Sequence, residues 1–433
     1  MVMTRKIFAV AAVVLLFAAH AMAQEGTWSG KIKFSGVELA LVFNFGEDSA
    51  TLDVPDQGAK GIPVEVSRNG IGGVVLGVPA IGASFEGLLV GKTIAGTFTQ
   101  NGMSLPLTLV PGAPALNRPQ TPVPPFPYTT EEVSFTNGDA VLKGTLTLPE
   151  NCGGKTPVLV MVTGSGLQNR DEEIFYHKPF AVIADAFARA GIATLRYDDR
   201  GFGESTGDVM LCTTEDLKND ALAGVKLLRD RFEHVGVLGH SEGGSIALML
   251  AAEGKIDFAV SLAGMIVSGS ETLLAQNRHS LESSGLPASE SEAYHRLLSD
   301  TFEAVKTKSP LPSADEYDIP DALRQNYQMS LGQLRTPYME YFLNLDLSGK
   351  LGGIDCPVMA LNGTKDTQVQ CDRNIAALKA GLPASGRNVI KAEEGLNHIF
   401  QHCVTGELAE YKEIEETISP EVLSEMTEWI KSL

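Results

Sequence analysis

The run Val235-Gly236-Val237-Leu238-Gly239-His240-Ser241-Glu242-Gly243-Gly244 sets a serine between two glycines, where an apolar β-type stretch gives way to a small-residue helical stretch over 245–252. A serine hydroxyl is a weak nucleophile until a neighbouring base takes its proton. A tight strand-to-helix turn holds such a serine exposed on a strained backbone, and flanking glycines leave room for the close approach. The start of the helix then points N–H groups at negative charge developing on a reacting carbonyl, and the residue after the serine supplies one of them. That residue is Glu242, and the chemistry is acyl transfer through Ser241.

The pattern occurs twice. Gly203-Glu204-Ser205-Thr206-Gly207 also matches, but it follows Asp198-Asp199-Arg200-Gly201 and leads into Asp208 and a loop rather than a helix. It reads as a structural turn. A serine of this type needs an acid and then a histidine later in the chain, each in the loop leaving a strand. After the apolar run 358–361 comes Asn362-Gly363-Thr364-Lys365-Asp366, and after 389–392 comes Glu393-Glu394-Gly395-Leu396-Asn397-His398. Asp366 and His398 fit better than Asp355, Asp372 or His402. His398 would take the proton from Ser241, with Asp366 fixing its tautomer. A second oxyanion donor belongs to the loop after the first parallel strand, Thr163-Gly164-Ser165-Gly166-Leu167-Gln168-Asn169-Arg170-Asp171. Ser165 is the first choice and Gly166 the second. No Gly-Lys-Ser/Thr follows, which sets aside a phosphate loop. His240 reads as a variable turn residue, His234 as preceding a strand, and His177, His279 and His295 as surface or lid residues.

These loops need strands to hold them. From Tyr128 onward, stretches at 131–135 and 140–148 flank the hairpin turn Asn137-Gly138. Apolar, β-branched runs at 158–162, 193–197, 235–238, 258–262, 358–361 and 389–392 then alternate with helical stretches. Runs of that kind suit strands buried on both faces of a parallel sheet with helices on either side. Between about 265 and 347 there is no strand signal, only amphipathic helical stretches, so this segment is expected to be a helical lid inserted over the site. Residues 24–110 read differently. Leu39, Leu41, Phe43 and Phe45 alternate with Ala40, Val42 and Asn44, and further short candidates recur between glycine-containing turns, the pattern of a small all-β sandwich or barrel. Seven prolines fall between Pro111 and Pro127 and predict an extended connector.

The first residues carry a separate signal. Arg5 and Lys6 precede an apolar run over 7–19, and Ala21-Met22-Ala23 supplies small residues for cleavage after Ala23, the layout of a secretory signal peptide. Export to the periplasm or beyond is expected, with no membrane insertion after processing. Net charge is −19, and loss of Arg5 and Lys6 makes it −19 − 2 = −21, which disfavours nucleic acid as a partner. Five cysteines, an odd number, leave at least one free thiol, and no spacing suggests a metal site. The sequence is silent on oligomeric state.

Taken together, Thr163-Gly164-Ser165-Gly166 with Asp171, Asp199-Arg200-Gly201 with Gly203 and Ser205, Gly239-His240-Ser241-Glu242-Gly243-Gly244, Asp366 and His398 resemble the bacterial exported α/β-hydrolases of the esterase and serine-aminopeptidase-like group. The resemblance covers about 128–433. More weakly, 24–110 resemble the β-rich leader of two-domain members. It implies an α/β-hydrolase fold with a lid, preceded by a small all-β domain, and cofactor-free acyl transfer through an acyl-serine. The small-molecule substrate is expected to be a carboxylic ester with a short acyl chain. Two rivals remain. A peptidase would need a group for a peptide terminus, for which Glu242, Arg170 and Asp171 are candidates. A glycan-binding protein with a vestigial hydrolase domain would rest on Trp28 and the aromatic strand.

Overall fold

The computed structural model describes residues 26–34, 37–46, 49–57, 59–68, 72–100, 102–113 and 116–433. The expected signal peptide lies outside them. Two compact units divide the chain, one ending at residue 115 and the other running Leu116–Leu433.

The first unit is a closed antiparallel barrel of eight strands: β1 (Gly26–Phe34), β2 (Val37–Phe45), β3 (Ala50–Val54), β4 (Ala59–Arg68), β5 (Gly73–Val78), β6 (Ala83–Val90), β7 (Thr93–Gln100) and β8 (Met103–Pro111). Neighbours in sequence pair throughout, and β1 closes on β8 through Trp28 opposite Pro111. Side chains fill the interior. Trp28, Phe43, Phe45, Phe85 and Phe98 pack with Leu52, Leu76, Ile94, Leu107 and Leu109 in one apolar cluster. Burial of alternate residues is what closure of a small barrel demands. It also takes inside the aromatics on which a glycan site would rest: Trp28, Phe43 and Phe45 are all buried.

The second unit is an eight-stranded sheet between helices. Its strands are β9 (Thr129–Asn137), β10 (Ala140–Leu148), β11 (Val158–Val162), β12 (Ala193–Tyr197), β13 (Val235–His240), β14 (Ala259–Leu262), β15 (Val358–Gly363) and β16 (Val389–Glu393). They lie in the order β9-β10-β12-β11-β13-β14-β15-β16. The hairpin β9–β10 pairs antiparallel and β10 meets β12 antiparallel, and from β12 to β16 every pair is parallel. The five residues of β11, all six of β13 and all four of β14 are buried, which is why these segments read as unbroken apolar runs. The hairpin followed by a parallel sheet with one exchange of strand order is the α/β-hydrolase fold.

Helices α1 (Pro179–Arg189), α2 (Thr214–Arg229) and α3 (Glu242–Ala252) follow β11, β12 and β13. The lid is four helices between β14 and β15: α4 (Gly269–Ser283), α5 (Ala288–Lys306), α6 (Asp321–Leu334) and α7 (Pro337–Asn344). It has an apolar centre of its own, with Leu297, Phe302, Tyr327 and Leu343 buried together. Then come α8 (Cys371–Gly381), α9 (Leu408–Tyr411) and α10 (Pro420–Lys431). One face of the sheet packs α2, α3 and α8, and the other packs α1 and α10. No described helix is long and apolar enough to cross a membrane.

The proline-rich segment is tied down in its middle, by Arg118 and Gln120. The Arg118 guanidinium donates to the carbonyls of Phe175, Lys412 and Ile414 at 2.9–3.0 Å. The Gln120 amide donates to Ile418 O at 2.8 Å, and its oxygen accepts from Thr417 N and Ile418 N. All five cysteines are free thiols.

Candidate active site

Ser241 stands at the carboxyl end of β13 as the residue capping α3, with φ 54° and ψ −119°. An L-residue reaches that region only under constraint. The constraint is visible: Ser241 N–H donates to Leu262 O at 2.8 Å, and glycines take the places where any side chain would collide. A Cβ on Gly239 would fall 1.9 Å from Gly243 O, and one on Gly243 would fall 2.0 Å from Val162 O. The two glycines of the motif are therefore the contact between turn and sheet.

Asp366 follows β15 and His398 follows β16, each past the carboxyl end of its strand. Close packing joins their loops: Lys365 N–H donates to Leu396 O and Thr364 N–H to Glu393 O, both at 2.9 Å. A Cβ on Gly363 would fall 2.2 Å from Leu396 O. His398 Nδ1 meets Asp366 Oδ2 at 2.7 Å. Asp366 is itself fixed by three further donors, Asn362 Nδ2 at 3.0 Å to Oδ2, and the backbone N–H groups of Gln368 and Val369 at 2.8 Å to Oδ1. Both side chains are buried. The competitor His402 points elsewhere, pairing with Glu416.

His398 reaches Ser241 through the residue beside it. The His240 ring donates from Nε2 to His398 O at 2.9 Å, and the two imidazoles lie 4.6 Å apart. Among the hydrogen bonds of the described residues none joins Ser241 Oγ to His398 Nε2. Bonds of this kind tighten when substrate binds.

The loop carrying the second oxyanion donor lies against the serine. A Cβ on Gly164 would fall 3.1 Å from Ser241 Cβ. Glu172 Oε1 takes up the Gly164 N–H at 2.7 Å, which leaves Ser165 as the next N–H along the loop. The loop is anchored below by Asp199, which accepts from Thr163 Oγ1 at 2.8 Å and from Gln168 N–H at 2.8 Å. Burial holds the Asp199 carboxyl well above the usual carboxylate range, against those two bonds. On the far side, Glu242 presents its backbone N–H at the start of α3 and turns its side chain inward. Thr214 Oγ1 donates to Glu242 Oε1 at 2.6 Å, and Tyr338 of lid helix α7 donates to Oε2 at 2.5 Å. Burial raises the Glu242 carboxyl, opposed by hydrogen bonds from Thr214, Tyr338 and Ser165.

The remaining candidates separate cleanly. Arg170 is committed to Asp198, Glu132 and Glu204, and Asp171 to Arg196 and Lys178. Glu242 is likewise engaged, each carboxylate oxygen accepting one hydroxyl, so all three side chains already have partners within the protein. Ser205 donates to Asp198 O at 2.7 Å and accepts from Lys143 N–H at 2.9 Å, the contacts of a structural turn. His177 is neither on the surface nor in the lid. It is fully buried between Thr417 Oγ1 and Tyr411 O, in polar contacts made across more than 230 residues of sequence. Burial, with a smaller push from Arg118, lowers its pKa to about 4. Sequence reasoning missed Glu172 and Tyr338. Glu172 sits in a run of three acidic residues, Asp171-Glu172-Glu173, with no periodicity, and Tyr338 sits in a lid helix whose facing partner no local pattern names.

A profile of the family described as "Serine aminopeptidase, S33" matches residues 176–397, more than half of the chain. The protein belongs to that family. Among curated proteins it is similar to Esterase EstD of Thermotoga maritima, 34% identical over 194 residues. That match spans 44% of this chain and 44% of the relative's length. Among solved structures, the Pyrococcus furiosus esterase Pf2001 aligns over 74% of this chain and 98% of its own at 18% identity, with a TM-score of 0.42. The proline iminopeptidase of Mycobacterium smegmatis aligns over 70% and 98% at 17% identity, with a TM-score of 0.44.

Proposed function

We propose that this protein is an exported serine hydrolase that cleaves carboxylic esters, preferentially of short acyl chains, through an acyl-serine. The observation that carries the reading is the 2.7 Å bond of His398 Nδ1 to Asp366, at strand ends beside a serine held at positive φ. Ser241 Oγ attacks the acyl carbon as its proton passes to His398 Nε2. Negative charge gathering on the carbonyl oxygen is received by the N–H groups of Ser165 and Glu242. The alcohol departs with the proton from His398, and water, activated by the same ring, attacks the acyl-serine and frees the acid. Asp366 fixes the tautomer that leaves Nε2 open to accept. The family match and the similarity to Esterase EstD support this reading. The aminopeptidase description of the family favours amide cleavage as the second reading. Against it, Arg170, Asp171 and the Glu242 carboxylate are all held by other partners.

Hydrolysis of p-nitrophenyl esters from acetate to octanoate, beside an alanyl p-nitroanilide, tests this in the wild type and Ser241→Ala. Fast turnover of the short esters, lost in Ser241→Ala, is expected. Faster cleavage of the anilide would transfer the protein to amide hydrolysis, and turnover surviving in Ser241→Ala would refute Ser241 as nucleophile.

A further inference from the structure

His240 and Glu172 stand outside the Ser241, Asp366 and His398 set, yet they join three active-site segments. Glu172 Oε1 accepts from Gly164 N–H at 2.7 Å and from the His240 ring at Nδ1 at 2.9 Å. His240 Nε2 donates to the carbonyl of His398 at 2.9 Å. One carboxylate oxygen thus holds the oxyanion loop and the elbow residue, and the elbow residue holds the backbone of the candidate base. Glu172 reaches this place at a cost, for its φ is +52°, a region where a non-glycine residue is strained. Both side chains are buried.

Both His240 nitrogens face acceptors, a carboxylate oxygen and a carbonyl. Only the doubly protonated ring can donate to both at once. Its surroundings favour that form. Burial alone would lower the pKa, but the charge and hydrogen bond of Glu172, with the His398 carbonyl and the Asp366 charge, outweigh it and raise it. A neutral ring would have to turn a lone pair toward one of the two oxygens.

We infer that His240 and Glu172 are positioning residues: the pair sets the placement of His398 and of the Ser165 N–H relative to Ser241. This rests on the reading of Ser241 and His398 as nucleophile and base. It assigns to the residue before the serine, which the motif leaves open, the task of holding the base in place from behind. Substrate plays no part in these contacts, so the effect falls on reactivity of Ser241 and not on binding.

Two substitutions separate this role from packing. An asparagine amide nitrogen falls near the Nδ1 position of histidine, and a glutamine amide nitrogen falls near Nε2. His240→Asn therefore keeps the bond to Glu172 and loses the one to His398 O, whereas His240→Gln does the reverse. Stability should rank Asn above Gln, because Gln leaves the buried Glu172 with one donor fewer. Reactivity should rank the other way. Labelling of Ser241 by a fluorophosphonate, read as kinact and KI by intact mass, needs no knowledge of the substrate. Ser241→Ala serves as the control, and thermal unfolding is followed in parallel. The expected result is kinact about 10- to 100-fold lower in His240→Asn with KI unchanged, and His240→Gln at least about tenfold faster than His240→Asn. Glu172→Gln should also slow kinact, because it removes the charge that keeps the ring doubly protonated. Equal kinact in the two His240 variants, or labelling that follows their stability, overturns the inference, as does a loss confined to KI. Should one His240 variant not fold, unchanged kinact in Glu172→Gln overturns it equally. A wild type labelled at Ser241 but inert toward esters sinks the ester reading and leaves the inference standing. A wild type not labelled at Ser241 sinks both.

Discussion

Replacing Asp366 by asparagine puts the candidate site to a sharp test, because the hydrogen bonds around the carboxylate dictate which way the amide must turn. Oδ1 accepts two backbone N–H groups, from Gln368 and Val369, and Oδ2 accepts from His398 Nδ1 and Asn362 Nδ2. An amide NH2 at the Oδ1 position would face two backbone donors that cannot turn away. Each orphaned donor costs about 1–3 kcal/mol, so that orientation loses about 2–6 kcal/mol. An NH2 at the Oδ2 position costs only one of the two bonds of Asn362 Nδ2, which keeps Val369 O as an acceptor, because the imidazole can answer by moving its proton to Nε2. The second orientation is therefore favoured, and it leaves His398 Nε2 carrying a hydrogen where it should accept one from Ser241. The expected result is a fall in kcat on the order of 10³- to 10⁴-fold, about 4–5 kcal/mol of transition-state stabilisation at 1.36 kcal/mol per tenfold. Folded stability should drop by only about 1–3 kcal/mol. Turnover of p-nitrophenyl butyrate at pH 7 and urea unfolding measure the two. A loss of less than about tenfold in kcat, from a variant that folds, would refute the assignment of Asp366 as the partner that fixes His398.

Three more outcomes are expected. Ser205→Ala removes a hydroxyl that bonds Asp198 O and Lys143 N–H, so urea unfolding should show about 1–2 kcal/mol of lost stability while fluorophosphonate labelling of Ser241 proceeds at the wild-type rate. Ser241→Gly abolishes labelling and relieves the positive φ; strain worth about 1–3 kcal/mol exceeds glycine's entropic cost of about 0.5–1, so the melting temperature should rise. His177, neutral when folded with a pKa of about 4 against 6.5 when unfolded, binds its proton more readily in the unfolded chain. Stability from it is present above pH 6.5 and is lost as pH falls toward 4, reaching about 3 kcal/mol, so urea midpoints of the wild type should fall across that window more steeply than those of His177→Gln.

How much of this could be read from the residues depends on the range of the contacts. Ser241 was legible because its constraints are local: the glycines two residues to either side set the turn, and an apolar strand precedes it. Asp366 and His398 were legible because each follows a β-branched run at a strand end, and the fold brings strand ends together. The central strands of the sheet announced themselves by being buried on both faces. Glu172 and Tyr338 were not legible. They meet His240 and Glu242 across 68 and 96 residues, from a loop and a lid helix with no periodicity that names a partner. His177 failed for the same reason, since a lone polar residue in a loop looks alike whether it faces water or a buried carbonyl. The barrel aromatics are legible as packing, the reading that their alternation favours over a glycan surface. Alternation marks a buried face, and Trp28 with Phe43 and Phe45 fills the barrel rather than offering a surface.

The proline-rich segment has an evolutionary consequence. Its sequence invites a cut at Tyr128, where the sheet begins, yet Arg118 and Gln120 close off carbonyls and amides of the 412–418 stretch at the opposite end of the catalytic unit. Any gene rearrangement that handed this unit to a new neighbour while discarding 116–127 would leave those groups without their donors and acceptors. The heritable piece is therefore longer than the sheet and helices alone, and recombination breakpoints in its lineage should fall ahead of Leu116 rather than at the first strand.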